Sequence, residues 1–129
     1  MSTQCLCGRN KPFEQCCGRY LSGKQFAKTP EQLMRSRYSA YALGGYGQYL
    51  LDTWHSMMSQ GLSAEDLSQQ HYEWTGLEVL NKTQSGDSGT VEFKAYYNDK
   101  DQQQHVMHEN SCFQRVAGRW FYVGATTDE

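Results

Sequence analysis

Thr90-Val91-Glu92-Phe93-Lys94-Ala95-Tyr96-Tyr97 places Val91, Phe93, Ala95 and Tyr97 at every second position, with Glu92 and Lys94 between them. Side chains alternate across a strand, so this is the pattern of a half-buried strand with one face on a core. Working outward, Leu77 and Val79 repeat the alternation in a segment that begins at about Glu73, and Ser85-Gly86-Asp87-Ser88-Gly89 reads as the connecting turn. On the other side Asn98-Asp99-Lys100-Asp101 is a turn. A further strand runs from about His105 to Val116, and Ala117-Gly118 turns it into Arg119–Gly124. Consecutive strands joined by short turns predict an antiparallel sheet.

Upstream the period becomes helical. Thr29 can cap a helix, Pro30 fits its first position and Gln32 can reach back as in a capping box. A helix is expected from Pro30 to Leu43, with Met34, Tyr38, Tyr41 and Ala42 on one face and Gly44-Gly45 ending it. Gln48 to Trp54 supports a shorter helix that turns Leu50, Leu51 and Trp54 inward, and Ser63-Ala64-Glu65-Asp66 looks like another helix start. Helices followed by antiparallel strands is the order of an α+β domain with its helices on one sheet face.

The 129 residues suit one domain of this kind plus a short appendage. Hydrophobic residues are only 38%, but nine Tyr, five Phe and three Trp supply large contact areas, so the chain reads as globular. The N-terminus has no basic n-region or apolar h-region, and no stretch approaches the ~20 apolar residues that span a bilayer. The expected location is the cytoplasm, with no membrane association. Thiols there stay reduced, which favours metal or redox roles for clustered cysteines over structural disulfides.

Four of the five cysteines cluster at the front: Cys5 and Cys7, then, after the eight residues Gly8 to Gln15, Cys16 and Cys17. Tetrahedral zinc needs four converging ligands, and two close pairs on a chain that folds back can supply them. Gly8 relieves the bend, while Arg9, Lys11 and Arg19 are expected to lower the thiol pKa values. A dithiol redox centre ranks below zinc because no Cys-x-x-Cys is present. The knuckle's apolar residues, chiefly Leu6, Phe13 and Leu21, are too few for a core, so zinc is expected to order it, worth about 10–16 kcal/mol in small zinc peptides. The division expected is a knuckle over 1–28 and an α+β domain over 29–129. Cys112 reads as a small buried hydrophobe.

The run Cys5-Leu6-Cys7-Gly8-Arg9-Asn10-Lys11-Pro12-Phe13-Glu14-Gln15-Cys16-Cys17-Gly18 resembles the SEC-C motif, a small zinc module named for its place at the C-terminus of the SecA translocation ATPase. Leu33-Met34-Arg35-Ser36-Arg37-Tyr38-Ser39-Ala40-Tyr41-Ala42-Leu43, Tyr49–His55, His108-Glu109 and Arg119–Val123 resemble the bacterial YchJ family. The resemblance implies a cone-shaped α+β domain of the nuclear transport factor 2 (NTF2) kind, and zinc on Cys5, Cys7, Cys16 and Cys17. Two departures stand out. Leu6 replaces a proline common in SEC-C motifs, and the second SEC-C motif that ends many family members does not appear before Glu129.

Such cones can hold a pocket between helices and sheet, and the fold hosts enzymes, ligand binders and partner-binding modules alike. The candidate pocket groups are Arg35, Arg37, Tyr38, Tyr41, Trp54, His55, Trp74, His108, Glu109, Trp120 and Tyr122. His108 and Glu109 are adjacent on a strand and point to opposite faces, which disfavours them as an acid/base pair. Tyr38, Tyr41 and Trp54 sit at spacings expected of core-facing helix positions, which favours core packing over a pocket role. Arg35 and Arg37 diverge by roughly 200° on a helix and form no single clamp. One is expected to pair with an acidic residue of the sheet, the other to be solvated.

Residues 1–37 hold seven basic and two acidic residues, leaving five and twelve for the remainder. These charges read first as solvated groups around a metal site, and a basic knuckle could also touch nucleic acid or an acidic protein surface. The leading expectation is a non-enzymatic accessory protein that contacts a protein partner through its knuckle. The alternative is a small-molecule enzyme or ligand binder using the cone pocket.

Overall fold

The computed structural model describes residues 5–7, 11–56, 59–69 and 72–125. Gly8 and Arg9 lie outside the described residues. The order is a 3₁₀ turn at Phe13–Gln15, then α1 (Gly18–Leu21), α2 (Pro30–Leu43), α3 (Gly47–Asp52) and α4 (Ala64–Leu67), followed by β1 (Glu73–Ser85), β2 (Ser88–Asn98), β3 (Gln104–Val116) and β4 (Arg119–Ala125). The strands form one antiparallel sheet in the order β1-β2-β3-β4. Bulges interrupt β1 between Trp74 and Gly76 and between Val79 and Asn81, and a register shift at Cys112/Phe113 interrupts β3 against β4. Bulges bend strands and raise their twist, curving the sheet around α2.

The α2 boundaries match those expected. The Thr29 side chain accepts a hydrogen bond from the Gln32 N–H, and Gly44 ends the helix at φ 73, a conformation that favours glycine. Gln32 reaches back one residue further than a capping box requires, accepting from the Lys28 N–H at 2.8 Å. The second helix is shorter than expected and stops at Asp52; Leu50 is fully buried, whereas Leu51 and Trp54 are half-buried. Beyond it the chain runs alongside β4. Tyr122 donates its N–H to the Thr53 carbonyl and accepts from the His55 N–H, both at 2.8 Å, in a parallel bridge at Trp54.

The core lies between α2 and the inner sheet face, where Leu33, Met34 and Tyr38 meet Val91, Phe93, Ala95, Phe113 and Trp120. Val91, Phe93 and Ala95 are buried as the alternation predicted, and the second half of β1, from Leu80, is exposed. Tyr20 and Ala27, from the N-terminal segment, belong to this same core. Cys112 is half-buried on the sheet, not fully buried. No helix among the described residues is long and apolar enough to cross a membrane.

At the α3–α4 contact, a Cβ built on Gly47 would stand 1.8 Å from the Ala64 carbonyl oxygen. Alanine ordinarily favours a helix over glycine by about 1 kcal/mol. Here the backbone clash outweighs that gain, and Gly47→Ala is expected to destabilise by about 2 kcal/mol or more in urea unfolding. A neutral or stabilising result would mean that the two helices are not packed this closely.

Candidate metal centre and cone cavity

The 3₁₀ turn and α1 carry Cys16 and Cys17 back toward Cys5 and Cys7, and the Cys5 N–H closes the loop on the Lys11 carbonyl at 2.9 Å. The four Sγ atoms all lie within 4.8 Å of one another, with Cys7 and Cys16 3.5 Å apart. All four residues are buried, with Phe13 and Leu77 packed against them. Thiolates ~2.3 Å from a tetrahedral ion sit ~3.8 Å from each other, so this cluster could hold a metal ion with little movement.

Hydrogen bonds from Cys17 and then Cys7 hold the Cys5 thiol well below its ordinary value. Burial first, then the neighbouring Cys7, pushes Cys16 up to about 11, and Cys17 is raised by its bonds to Cys5 and Cys7 together with burial. The expected effect of Lys11 and Arg19 is therefore overridden in Cys16 and Cys17. Arg19 turns elsewhere, donating to the Cys16 carbonyl at 3.1 Å and the Tyr20 hydroxyl at 3.0 Å.

The cluster is seated on α2. Cys5 Sγ lies 3.6 Å from Ser39 Oγ, and Arg35 donates through Nη1 to the Cys7 carbonyl at 2.5 Å while its Nε pairs with Glu31 at 2.9 Å. Arg35 thus serves the knuckle and does not line the cavity. Neither arginine pairs with a carboxylate of the sheet, and neither is fully solvated. The ion pair with Glu31 lies within one helix because the two are four residues apart, and Arg37 is buried.

A cavity of about 240 Å³ opens between α2 and the sheet. It brings together seven of the candidates: Arg37, Tyr38, Tyr41, Trp54, Trp74, Glu109 and Tyr122. Arg37 donates through Nη1 to the Leu50 carbonyl at 2.8 Å and Thr53 Oγ1 at 2.7 Å. Its guanidinium lies 4.8 Å from the Trp54 ring centroid and 4.6 Å from that of Tyr122. Burial pulls its pKa down, opposed by the nearby Tyr41 and Tyr122, but a guanidinium stays charged. Among the described residues no carboxylate lies within ion-pair distance of it. Glu109 enters the cavity from β3 and accepts at Oε2 from Ser111 Oγ at 2.5 Å and the Tyr122 hydroxyl at 3.1 Å. Burial, then the Glu109 charge, raises the Tyr122 pKa and keeps the hydroxyl a donor.

Three further candidates lie away from this cavity. His108, next to Glu109, faces away as expected and meets the Glu92 carboxylate at 2.7 Å on the exposed side. His55 contributes its N–H to the β4 bridge and does not line the cavity. Trp120 donates to the Lys28 carbonyl at 3.2 Å and lines a smaller cleft of about 110 Å³ with Tyr20 and Phe26. Missing from the candidates were Met34, Phe93, Ala95, Met107, Ser111 and Phe113. The signal was available in part: Glu109, Ser111 and Phe113 share one parity on β3, and Phe93 and Ala95 share the inner parity of β2.

With the geometry in place, the model of the YchJ middle NTF2-like domain matches residues 29–125. The chain belongs to the YchJ family. Among its relatives, a UPF0225 protein of Vibrio parahaemolyticus is 38% identical over 133 residues, covering 100% of this chain and 78% of the relative. A UPF0225 protein of Streptomyces coelicolor is 40% identical over 122 residues, covering 92% and 91%. The solution structure of a SEC-C motif containing protein from Rhodopseudomonas palustris matches with a TM-score of 0.89 at 31% identity, covering 98% of this chain and 100% of that one. The NTF2-like cone with an N-terminal cysteine knuckle is thus the fold of this YchJ-family chain.

Since Arg35 ties the loop of Cys7 to α2 through a charged hydrogen bond, Arg35→Ala should cost about 1–3 kcal/mol. Hydrogen exchange should show faster exchange at Cys5 and Cys16, with β2 and β3 little changed. Uniform loss of protection across the sheet would contradict this local role.

Proposed function

We propose that the protein is a non-enzymatic binding protein of the bacterial cytoplasm whose zinc-ordered knuckle contacts a protein partner. The observation that carries this is a contrast inside the metal loop: Cys5 and Cys7 are 6% and 0% exposed, while Leu6 between them is 44% exposed. Four thiolates fill a tetrahedral zinc ion and leave no open position for catalysis, so the ion's role is structural. The donor set, four sulfurs and no oxygen, suits zinc over magnesium or calcium. Metal on both sides of Leu6 fixes its backbone, and a pre-ordered apolar side chain binds with little entropy left to lose. The excess of basic over acidic residues in the N-terminal stretch 1–37 of the sequence favours an acidic partner face. The analogy with other SEC-C modules points the same way.

Freshly purified, reduced protein is expected to hold one zinc per chain on Cys5, Cys7, Cys16 and Cys17. Exchange of both Cys5 and Cys16 for serine should abolish it, whereas Cys112→Ser should not. Burial and the neighbouring thiols raise the pKa values of Cys16 and Cys17, which favours their protonated forms in the metal-free cluster. Zinc must displace those protons, so apparent affinity should rise with pH and fall as the solution is acidified. Elemental analysis with competition titrations at two pH values checks both points. Zinc retained by the double variant would sink the ligand assignment.

For the partner, Leu6→Asp is more informative than deleting the knuckle, because deletion would also strip Tyr20 from the main core. The variant should keep its zinc and lose the proteins that co-purify with the native chain from a bacterial lysate. An unchanged set of bound proteins would remove the support for knuckle-mediated contact.

A further inference from the structure

We propose that the cone cavity binds a small, uncharged aromatic carboxamide, with its ring among the apolar walls and its amide between Arg37 and Glu109. This site shares no residue with the four cysteines and stands independently of knuckle-mediated partner binding.

Size comes first. An apolar cavity of ~150 Å³ is enough to take up benzene, so the 240 Å³ here leaves room for one ring and a short polar head. The walls suit a ring, since Tyr38, Trp74, Phe93 and Phe113 offer aromatic faces and edges. Tyr38 and Trp74 are already in edge-to-face contact at 6.0 Å. Access is provided at Met107, the most exposed lining residue among the described residues at 36%, whose flexible thioether chain can swing aside.

The head group follows from charge and unused bonding capacity. Among the described residues the cavity wall holds one cation, Arg37, and one carboxylate, Glu109, and Tyr122 touches both. Both of the Glu109 bonds fall on Oε2, and among the described residues Oε1 accepts none. Nη1 of Arg37 donates to the Leu50 carbonyl and Thr53, and the guanidinium also meets the Tyr41 hydroxyl, which still leaves donors to spare among the five N–H groups of a guanidinium. Arg37 and Glu109 line the same cavity on either side of Tyr122, so a head group spanning them would have a donor and an acceptor to use. A carboxamide presents a carbonyl to the first and an N–H to the second. A carboxylate would satisfy Arg37 but bring an uncompensated negative charge beside Glu109, and a plain hydrocarbon would leave both groups unused.

The test titrates the full-length chain with benzamide, benzoate and toluene at neutral pH, following the indole N–H signals of Trp54, Trp74 and Trp120 by NMR. Benzamide should saturate and shift Trp54 and Trp74 while Trp120 stays in place, and benzoate and toluene should each bind about tenfold more weakly or worse. Glu109→Gln removes the repulsion, so benzoate should gain at least several-fold relative to benzamide. Should that variant fail to fold, Met107→Trp, altered at the exposed rim, should fold and lose benzamide binding. No saturation by benzamide, benzoate binding as tightly as benzamide, shifts confined to Trp120, an unchanged preference in folded Glu109→Gln, or undiminished binding by Met107→Trp would each overturn the proposal.

Discussion

The structure depends on α2 being covered from two sides at once. Leu33, Met34, Ser36, Arg37, Tyr38, Ser39 and Ala40 are all buried, which is nearly the full circumference of the helix through its middle turns. A single sheet buries one stripe of a helix, so the remaining side needs another cover. The cysteine knuckle and α3 share it: the knuckle meets the small side chain of Ser39 and the end of Arg35, and Ser36 bonds to the Tyr49 hydroxyl of α3 at 2.6 Å. Small residues let the thiol cluster approach closely, while the larger Met34 and Tyr38 face the sheet and cavity.

Arg35 and Arg37 show how one helix serves both sites. Their ~200° separation sends one guanidinium to the Cys7 carbonyl and the other to the cavity wall. Arg37 carries the heavier desolvation burden, because a buried cation is unfavourable and among the described residues no carboxylate pairs with it. Two aromatic faces, a helix-end carbonyl and a threonine hydroxyl replace the water it has lost. Such an arrangement keeps charge at a place where an apolar wall would have been simpler.

Much of this architecture was legible in the residues. Thr29-Pro30 and Gly44 marked α2 because capping and chain reversal depend on local backbone chemistry, and Val91, Phe93 and Ala95 marked the inner sheet face because burial imposes a period of two. The opposite orientations of His108 and Glu109 follow from the same rule. The second cover of α2 was harder to see. Ser36, Ser39 and Ala40 look like the polar or neutral side of an amphipathic helix, and only other elements make that side interior, Tyr49 of α3 at Ser36 and Cys5 of the knuckle at Ser39. The destination of Arg37 was hidden for a related reason: its acceptors, the Leu50 carbonyl and Thr53, come from the chain after a break at Gly44-Gly45 whose direction periodicity does not specify. Likewise the thiols' ionisation depends on their mutual distances and burial, which neighbouring lysines and arginines in the sequence do not convey.

The parallel bridge at Trp54 bears on how readily another strand could add to the sheet. An open four-stranded sheet has two free margins, each a template on which another molecule's strand can add. At β4 the hydrogen-bonding groups of Tyr122 are already taken by Thr53 and His55, so the margin is occupied at its middle by the chain itself. At β1 the two bulges break the regular spacing that a docking strand would need, and Lys82 adds a charge held by Glu31. Both margins are thereby poor seeds for intermolecular sheet growth, and the concave face can stay open to solvent at Met107 without a second layer of sheet to shield it.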